Sequence, residues 1–180
     1  RLIKTYQQIN NQPKYLQSEL VYNELGELVE KNLHDDGSGF IQSVDYSYNI
    51  RGWLTGINTY DNGNDETDVF AQELAYEKDT RNLGSELQYN SNISSIIWKM
   101  NGSDEKSYKY SYDGLNRLTS AMYSEYVNQA WEQNNKYSTP ILEYDFNGNI
   151  ERLRRKGLCG EEYKILDDLY YFYEGNKILG

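Results

Sequence analysis

"YSYDGLNRLTSA", Tyr110 to Ala121, comes back along the chain in altered form. Residues 22–28 read "YNELGEL", residues 48–55 "YNIRGWLT" and residues 144–150 "YDFNGNI". The shared pattern is Tyr-[Asp/Asn]-x-x-[Gly/Asn]-x-[Leu/Ile]. It places Tyr22, Asn23, Gly26 and Leu28 in one copy and Tyr48, Asn49, Gly52 and Leu54 in the next. Tyr112, Asp113, Asn116 and Leu118 form another, and Tyr144, Asp145, Gly148 and Ile150 the last. A shuffled chain of this composition would give about 0.1 matches, counted against the template, so the chain reads as a repeat array. Two degenerate copies, "QYNSNISSI" near 89–97 and "YFYEGNKIL" near 171–179, shorten the turn.

The pattern is the chemistry of a β-hairpin. Asp or Asn opens a type I turn because its side chain accepts hydrogen bonds from amides further on. Gly or Asn is favoured where φ turns positive. A type I turn followed by such a residue makes a three-residue hairpin loop with a bulge. Tyrosine and the closing Leu or Ile then flank the turn and face each other across the ladder. Around the turns, Tyr108, Tyr110 and Tyr112 alternate with Lys109 and Ser111, the period of a strand.

Composition agrees. The chain has 180 residues with 19 Tyr against 4 Phe and 3 Trp, which suits thin, two-faced sheet better than a deep aliphatic core. The expected fold is all-β: successive antiparallel hairpins, with residues 1–18 a partial repeat or linker and 19–180 the array. Motif tyrosines lie 26 residues apart from Tyr22 to Tyr48 and 32 from Tyr112 to Tyr144, an irregular period in the range of repeat arrays. Two insertions also admit a short helix. "SAMYSEYVNQAWEQ" (120–133) sets Met122, Tyr126 and Ala130 at i, i+4 spacing, and "TDVFAQELAYEK" (67–78) reads either way, with Phe70, Leu74 and Tyr76 alternating as on a strand.

The remaining residues narrow the function. A net charge of −10 speaks against a nucleic-acid partner, which needs a basic footprint. The one basic cluster, Arg152, Arg154, Arg155 and Lys156 in "ERLRRKG", reads as a solvated strand before a phosphate site. No apolar run approaches the ~20 residues of a membrane span. The lone Cys159 and lone His34 offer neither a disulfide nor a zinc set, and a Cys–His nucleophile would need the two brought together. Carboxylates are many but scattered, so no catalytic residues, cofactor or metal are expected. The acidic loop "YDNGNDETD" (60–68), with Asp61, Asp65 and Asp68, departs from calcium-loop spacing and reads as solvated. Trp53, Trp98 and Trp131 are candidates for stacking on glycans, weighed against packing on neighbouring strands.

The copies "YSYDGLNRLTSA", "YDFNGNIERL" and "SYNIRGWLTGIN" resemble the YD repeat of the Rhs family. That family includes bacterial Rhs and wall-associated repeat proteins, the shell subunits of insecticidal toxin complexes, and teneurins. The "RLT" ending at Arg117-Leu118-Thr119 and its near copy Trp53-Leu54-Thr55 strengthen the likeness, which spans about 19–180. It implies hairpins joined into a strip that coils as a hollow shell, enclosing a variable C-terminal effector, often a toxin, in an exported or surface protein. It implies no catalytic residues. Two copies carry Asn for Asp, which preserves the turn chemistry. A Pro- and Asp-rich closing motif and an effector are both missing from the 180 residues, so the chain is read as a slice of wall. The alternative is an extracellular module that binds carbohydrate or protein through its Tyr/Trp-rich face.

Overall fold

The computed structural model describes residues 1–58 and 68–179. Among these it is all-β: fifteen strands, every pairing antiparallel, and no helix. Accordingly no helix is long and apolar enough to cross a membrane. The chain divides into two compact units, Arg1–Leu74 with Trp98–Ser103, and Ala75–Ile97 with Asp104–Gly180.

In the first unit the strands pair in chain order as a meander. They are β1 (Lys4–Gln7), β2 (Tyr15–Tyr22), β3 (Leu28–Asp35), β4 (Phe40–Tyr48) and β5 (Leu54–Ile57), followed by β6 (Phe70–Ala75). The unit is thin, and its buried side chains are mostly small or polar. Asn58 shows how it manages a buried amide. Its Oδ1 accepts from the Asp45 amide at 2.9 Å and its Nδ2 donates to the Phe70 carbonyl at 2.7 Å. The side chain therefore supplies ladder bonds where its own backbone, at φ 54°, has left the strand region.

The second unit holds a hairpin of β8 (Lys106–Tyr112) and β9 (Leu118–Val127), extended by β10 (Ala130–Glu132). It also holds a three-stranded meander, β11 (Ile141–Tyr144), β12 (Ile150–Cys159) and β13 (Glu162–Tyr170), and a short hairpin of β14 (Tyr173–Glu174) and β15 (Lys177–Ile178). β7 (Ser95–Met100) begins in this unit and ends in the first. Residues 138 and 139 stitch β9 to β12. Thr139 exchanges backbone bonds with Ala121, while the Ser138 carbonyl accepts from the Lys156 amide at 2.8 Å. The interior is built from Ile97, Tyr123, Ala75 and Tyr76, with Ser94, Ser95, Ser107 and Ser138 fully buried beside them.

Both stretches that admitted a helix are strands. Residues 118–125 pair along the whole of β8, and after Val127 the chain reverses through Asn128 and Gln129 at φ 50° and 66°. Two successive positive φ values make the tight turn whose twist suits a hairpin, and Tyr126 comes to lie opposite Trp131. In the other stretch β6 pairs with β5 through Gly56–Glu73 and Ile57–Gln72. There Ala71 and Ala75 are buried, and of the alternating Phe70, Leu74 and Tyr76 only Tyr76 is buried, just past the end of the strand. In both cases ladder bonds to a neighbour outweigh a helical spacing worth only a few tenths of a kcal/mol per pair. The acidic loop, apart from Asp68, lies outside the described residues.

Candidate functional site

The feature that recurs is the joint between one hairpin and the next. Within each turn the opener binds the loop that follows. Asp113 Oδ1 accepts from the amides of Leu115 and Arg117, both at 2.9 Å. Asp145 Oδ1 accepts from Asn147 and Asn149, both at 2.8 Å. Asn49 does the same for Arg51 and Trp53, and Asn23 Oδ1 accepts from Glu27 at 2.9 Å. Three residues after each opener the chain takes positive φ: Gly26 at 86°, Gly52 at 74°, Asn116 at 63° and Gly148 at 90°. A ladder irregularity falls just before every motif tyrosine, and each tyrosine then sits opposite its own closing residue: Tyr22–Leu28, Tyr48–Leu54, Tyr112–Leu118, Tyr144–Ile150.

The tyrosine ring reaches away from its own hairpin. Tyr48 donates its hydroxyl proton to the carbonyl of Leu28 at 2.9 Å, and Tyr144 donates to Leu118 at 2.8 Å. Both acceptors are the closing residue of the preceding copy. Tyr112 reaches Ile93 at 2.7 Å, in the degenerate copy before it. Tyr173 reaches Ile150 at 2.9 Å, which makes Tyr173 the motif tyrosine of the last degenerate copy. Tyr22 reaches Leu2 at a longer 3.3 Å. Burial pushes the phenols of Tyr48, Tyr112 and Tyr144 above their ordinary pKa, so all three remain donors at any physiological pH.

A second contact runs the other way. In three of the four copies the residue before the closing Leu or Ile folds back on its own turn opener and forward on the next turn. Arg117 donates to Asp113 Oδ2 at 2.6 Å and to the Asp145 carbonyl at 3.1 Å, with its guanidinium 4.6 Å from the centre of the Tyr144 ring. Asn149 donates to Asp145 at 2.8 Å and to Asn176 at 3.1 Å. Glu27 accepts from Asn23 at 2.7 Å and approaches Gly52 of the next turn. These bonds hold the opener carboxyls below the usual range: for Asp113 the Arg117 amide is foremost, for Asp145 the Asn149 side chain.

Three of the four basic residues of the cluster are ion-paired within their own hairpin. Arg152 and Arg154 both donate to Asp168 on one face of β12–β13, and Arg155 pairs with Asp167 on the other. The two guanidiniums, Arg152 foremost, hold the Asp168 carboxyl far below its ordinary pKa. The tryptophans are half-buried strand and turn residues. Trp53 lies under the Arg51 guanidinium at 4.9 Å. Trp131 donates to the Arg81 carbonyl at 3.1 Å and packs on Tyr126 at 5.1 Å. Trp98 lies in β7.

Five further tyrosines of the second unit form a continuous ring stack. Centroid separations are 6.2 Å for Tyr110–Tyr108, 5.5 Å for Tyr108–Tyr123, 5.3 Å for Tyr123–Tyr137 and 5.3 Å for Tyr137–Tyr163. Burial pushes Tyr110 up to about 12 and Tyr123 higher, the latter aided by its bond to Glu125. The stack was hidden in the sequence because its members come from β8, β9, a loop and β13. In the first unit a cleft of about 80 Å³, bordered by Gln7, Ile9, Gln12, Tyr15, Gln17 and His34, has room for about two or three waters. Among the described residues no group of three or more His, Cys, Asp or Glu could hold a metal. No protein-family model matches the chain, and no curated protein is significantly similar to it.

Proposed function

We propose that the chain is structural. It would be a run of clasped hairpins of the YD-repeat kind, forming wall in the shell of a large exported or surface bacterial protein of the Rhs type and containing or scaffolding a C-terminal effector. The observation that supports this reading is the recurrent clasp. Five tyrosines donate to the carbonyl of a residue 19 to 26 positions earlier, four of them to the end of a preceding motif copy. A joint that repeats at the motif turns serves continuity of a surface, whereas an active site needs unlike groups converging once. The ion-paired arginines and the partnered rings of Trp53 and Trp131 are consistent with that role.

The test is limited proteolysis of the full-length natural protein. A shell predicts a downstream domain that resists protease while the wall is intact and is digested once Tyr144→Phe and Tyr173→Phe loosen it. A downstream domain cut freely in the wild type would overturn containment. Glycan binding lost on replacing Trp53, Trp98 or Trp131 by Ala would replace the reading with that of a binding module.

A further inference from the structure

The outer end of the tyrosine stack is more exposed than the rings inside it, and there two hydroxyls meet each other. Tyr137 and Tyr163 place their hydroxyl oxygens 3.2 Å apart, with ring centroids at 5.3 Å and ring planes at 84°. Both rings are exposed, at 41% and 44%. The inner rings differ in exposure and in the partners of their hydroxyls, although Tyr123 and Tyr137 meet at a similar 5.3 Å and 87°. Tyr123 is 2% exposed and its hydroxyl is held by Glu125 at 2.9 Å; the Tyr108 hydroxyl is committed to the Tyr137 carbonyl at 2.9 Å.

The backbone on both sides of the outer pair is pinned. Ser138 is fully buried and its hydroxyl accepts from the Tyr123 amide at 2.9 Å, while Thr139 bridges to Ala121. Tyr163 lies in β13, opposite Leu158 of β12. Two phenols from segments 26 residues apart are thus held edge to face and exposed to solvent.

We propose that Tyr137 and Tyr163 form an oxidative cross-linking site, joined as an intramolecular dityrosine when the protein meets a one-electron oxidant such as an activated peroxidase. Each phenol gives one electron to the oxidant and its hydroxyl proton to water, leaving two phenoxyl radicals. The radicals couple through one ortho carbon of each ring, forming a single C–C bond. Each coupled carbon then releases its hydrogen as a proton, and each phenolic oxygen regains one. The net loss is two electrons and two protons, and the oxidant is reduced by two electrons. The product closes a loop between the 133–140 segment and β13, restricting the unfolded chain as a disulfide would, in a protein whose only cysteine is Cys159.

The site is tested on the folded chain with tris(bipyridine)ruthenium(II), persulfate and brief illumination, followed by proteolysis and tandem mass spectrometry. The expected result is one dominant linked pair, Tyr137 to Tyr163, with a yield independent of protein concentration. Tyr137→Phe and Tyr163→Phe should each lower that yield by about tenfold or more, and Tyr170→Phe, at another exposed ring (55%), should leave it unchanged. A yield that rises with protein concentration, links spread over other exposed tyrosines, or equal yield in denaturant would each overturn the proposal.

Discussion

Tyr112 and Tyr22 do the same thing under different conditions, and the difference is measurable. The Tyr112 hydroxyl meets the Ile93 carbonyl at 2.7 Å in a part-buried setting, whereas Tyr22 meets Leu2 at 3.3 Å in an exposed one. Replacement by Phe keeps the ring and removes the donor, leaving a carbonyl short of a partner. We expect Tyr112→Phe and Tyr144→Phe to cost about 1 kcal/mol each, and Tyr22→Phe less, since a net hydrogen bond is worth ~0.5–1.5 kcal/mol and solvent replaces it where it can enter. Urea unfolding at constant m-value checks the ranking. Gly148 tests the turn in isolation. Its φ is 90° and an added Cβ would meet nothing within 4 Å, so Gly148→Ala carries only the backbone cost of roughly 1–2 kcal/mol. Gly114→Ala, equally uncrowded but not at positive φ, should be neutral or stabilise by up to ~1 kcal/mol. Similar losses at both glycines would contradict this account of the turn.

The β12–β13 hairpin carries its own charge device. Asp168 takes bonds from Arg152 and Arg154 across the ladder, and its folded pKa lies well below the ordinary value. Its contribution is present above the unfolded carboxyl pKa of roughly 3.9 and is lost as pH falls below that toward the folded value. We expect wild type and Asp168→Asn to differ at neutral pH, with the gap closing as pH falls below about 4 and narrowing with added salt. Thermal melts across pH 2–7 would show it, and a constant gap would exclude the linkage.

This hairpin also illustrates how far the sequence could be read. Asp113-Gly114-Leu115-Asn116 announces its own turn, because every group that makes it lies within five residues. The β class of the flanks is legible for the same reason. The fate of Arg152 and Arg154 is not, because their partner lies 14 to 16 residues away across the turn that follows Cys159. "RLRR" facing "LDDL" was the available signal. The reversal at Asn128 and Gln129 is hard to read because the residues around it, Met122, Tyr126 and Ala130, also fit a helical spacing. The targets of the motif tyrosines carry no side-chain mark at all, being carbonyls.

At the scale of the molecule the two ends contrast. Residues 1–18 carry Arg1, Lys4 and Lys14 and no carboxylate, whereas 160–180 carry Glu161, Glu162, Asp167, Asp168 and Glu174 against Lys164 and Lys177. Both ends expose apolar side chains: Leu2, Ile3 and Tyr6 at one, Ile165, Leu166, Leu169 and Phe172 at the other. β1 and β13 are the outermost strands of their sheets, and uncovered edges invite pairing. We expect the 180-residue polypeptide alone to associate with rising concentration in sedimentation velocity, and less so at high salt. A monodisperse monomer that melts cooperatively would count against the wall reading and for a self-sufficient module.

The clasp grips a carbonyl, which every residue possesses, so it is indifferent to what the preceding hairpin is made of and to how much chain lies between. Intervals from 19 to 26 residues are all accommodated. A duplicated hairpin would arrive with its own tyrosine and its own carbonyl and would find both partners waiting. Through this bond an array could lengthen, shorten or exchange members without a matching side chain next door; a side-chain contact such as Asn149 to Asn176 is the part of the joint that would have to be matched.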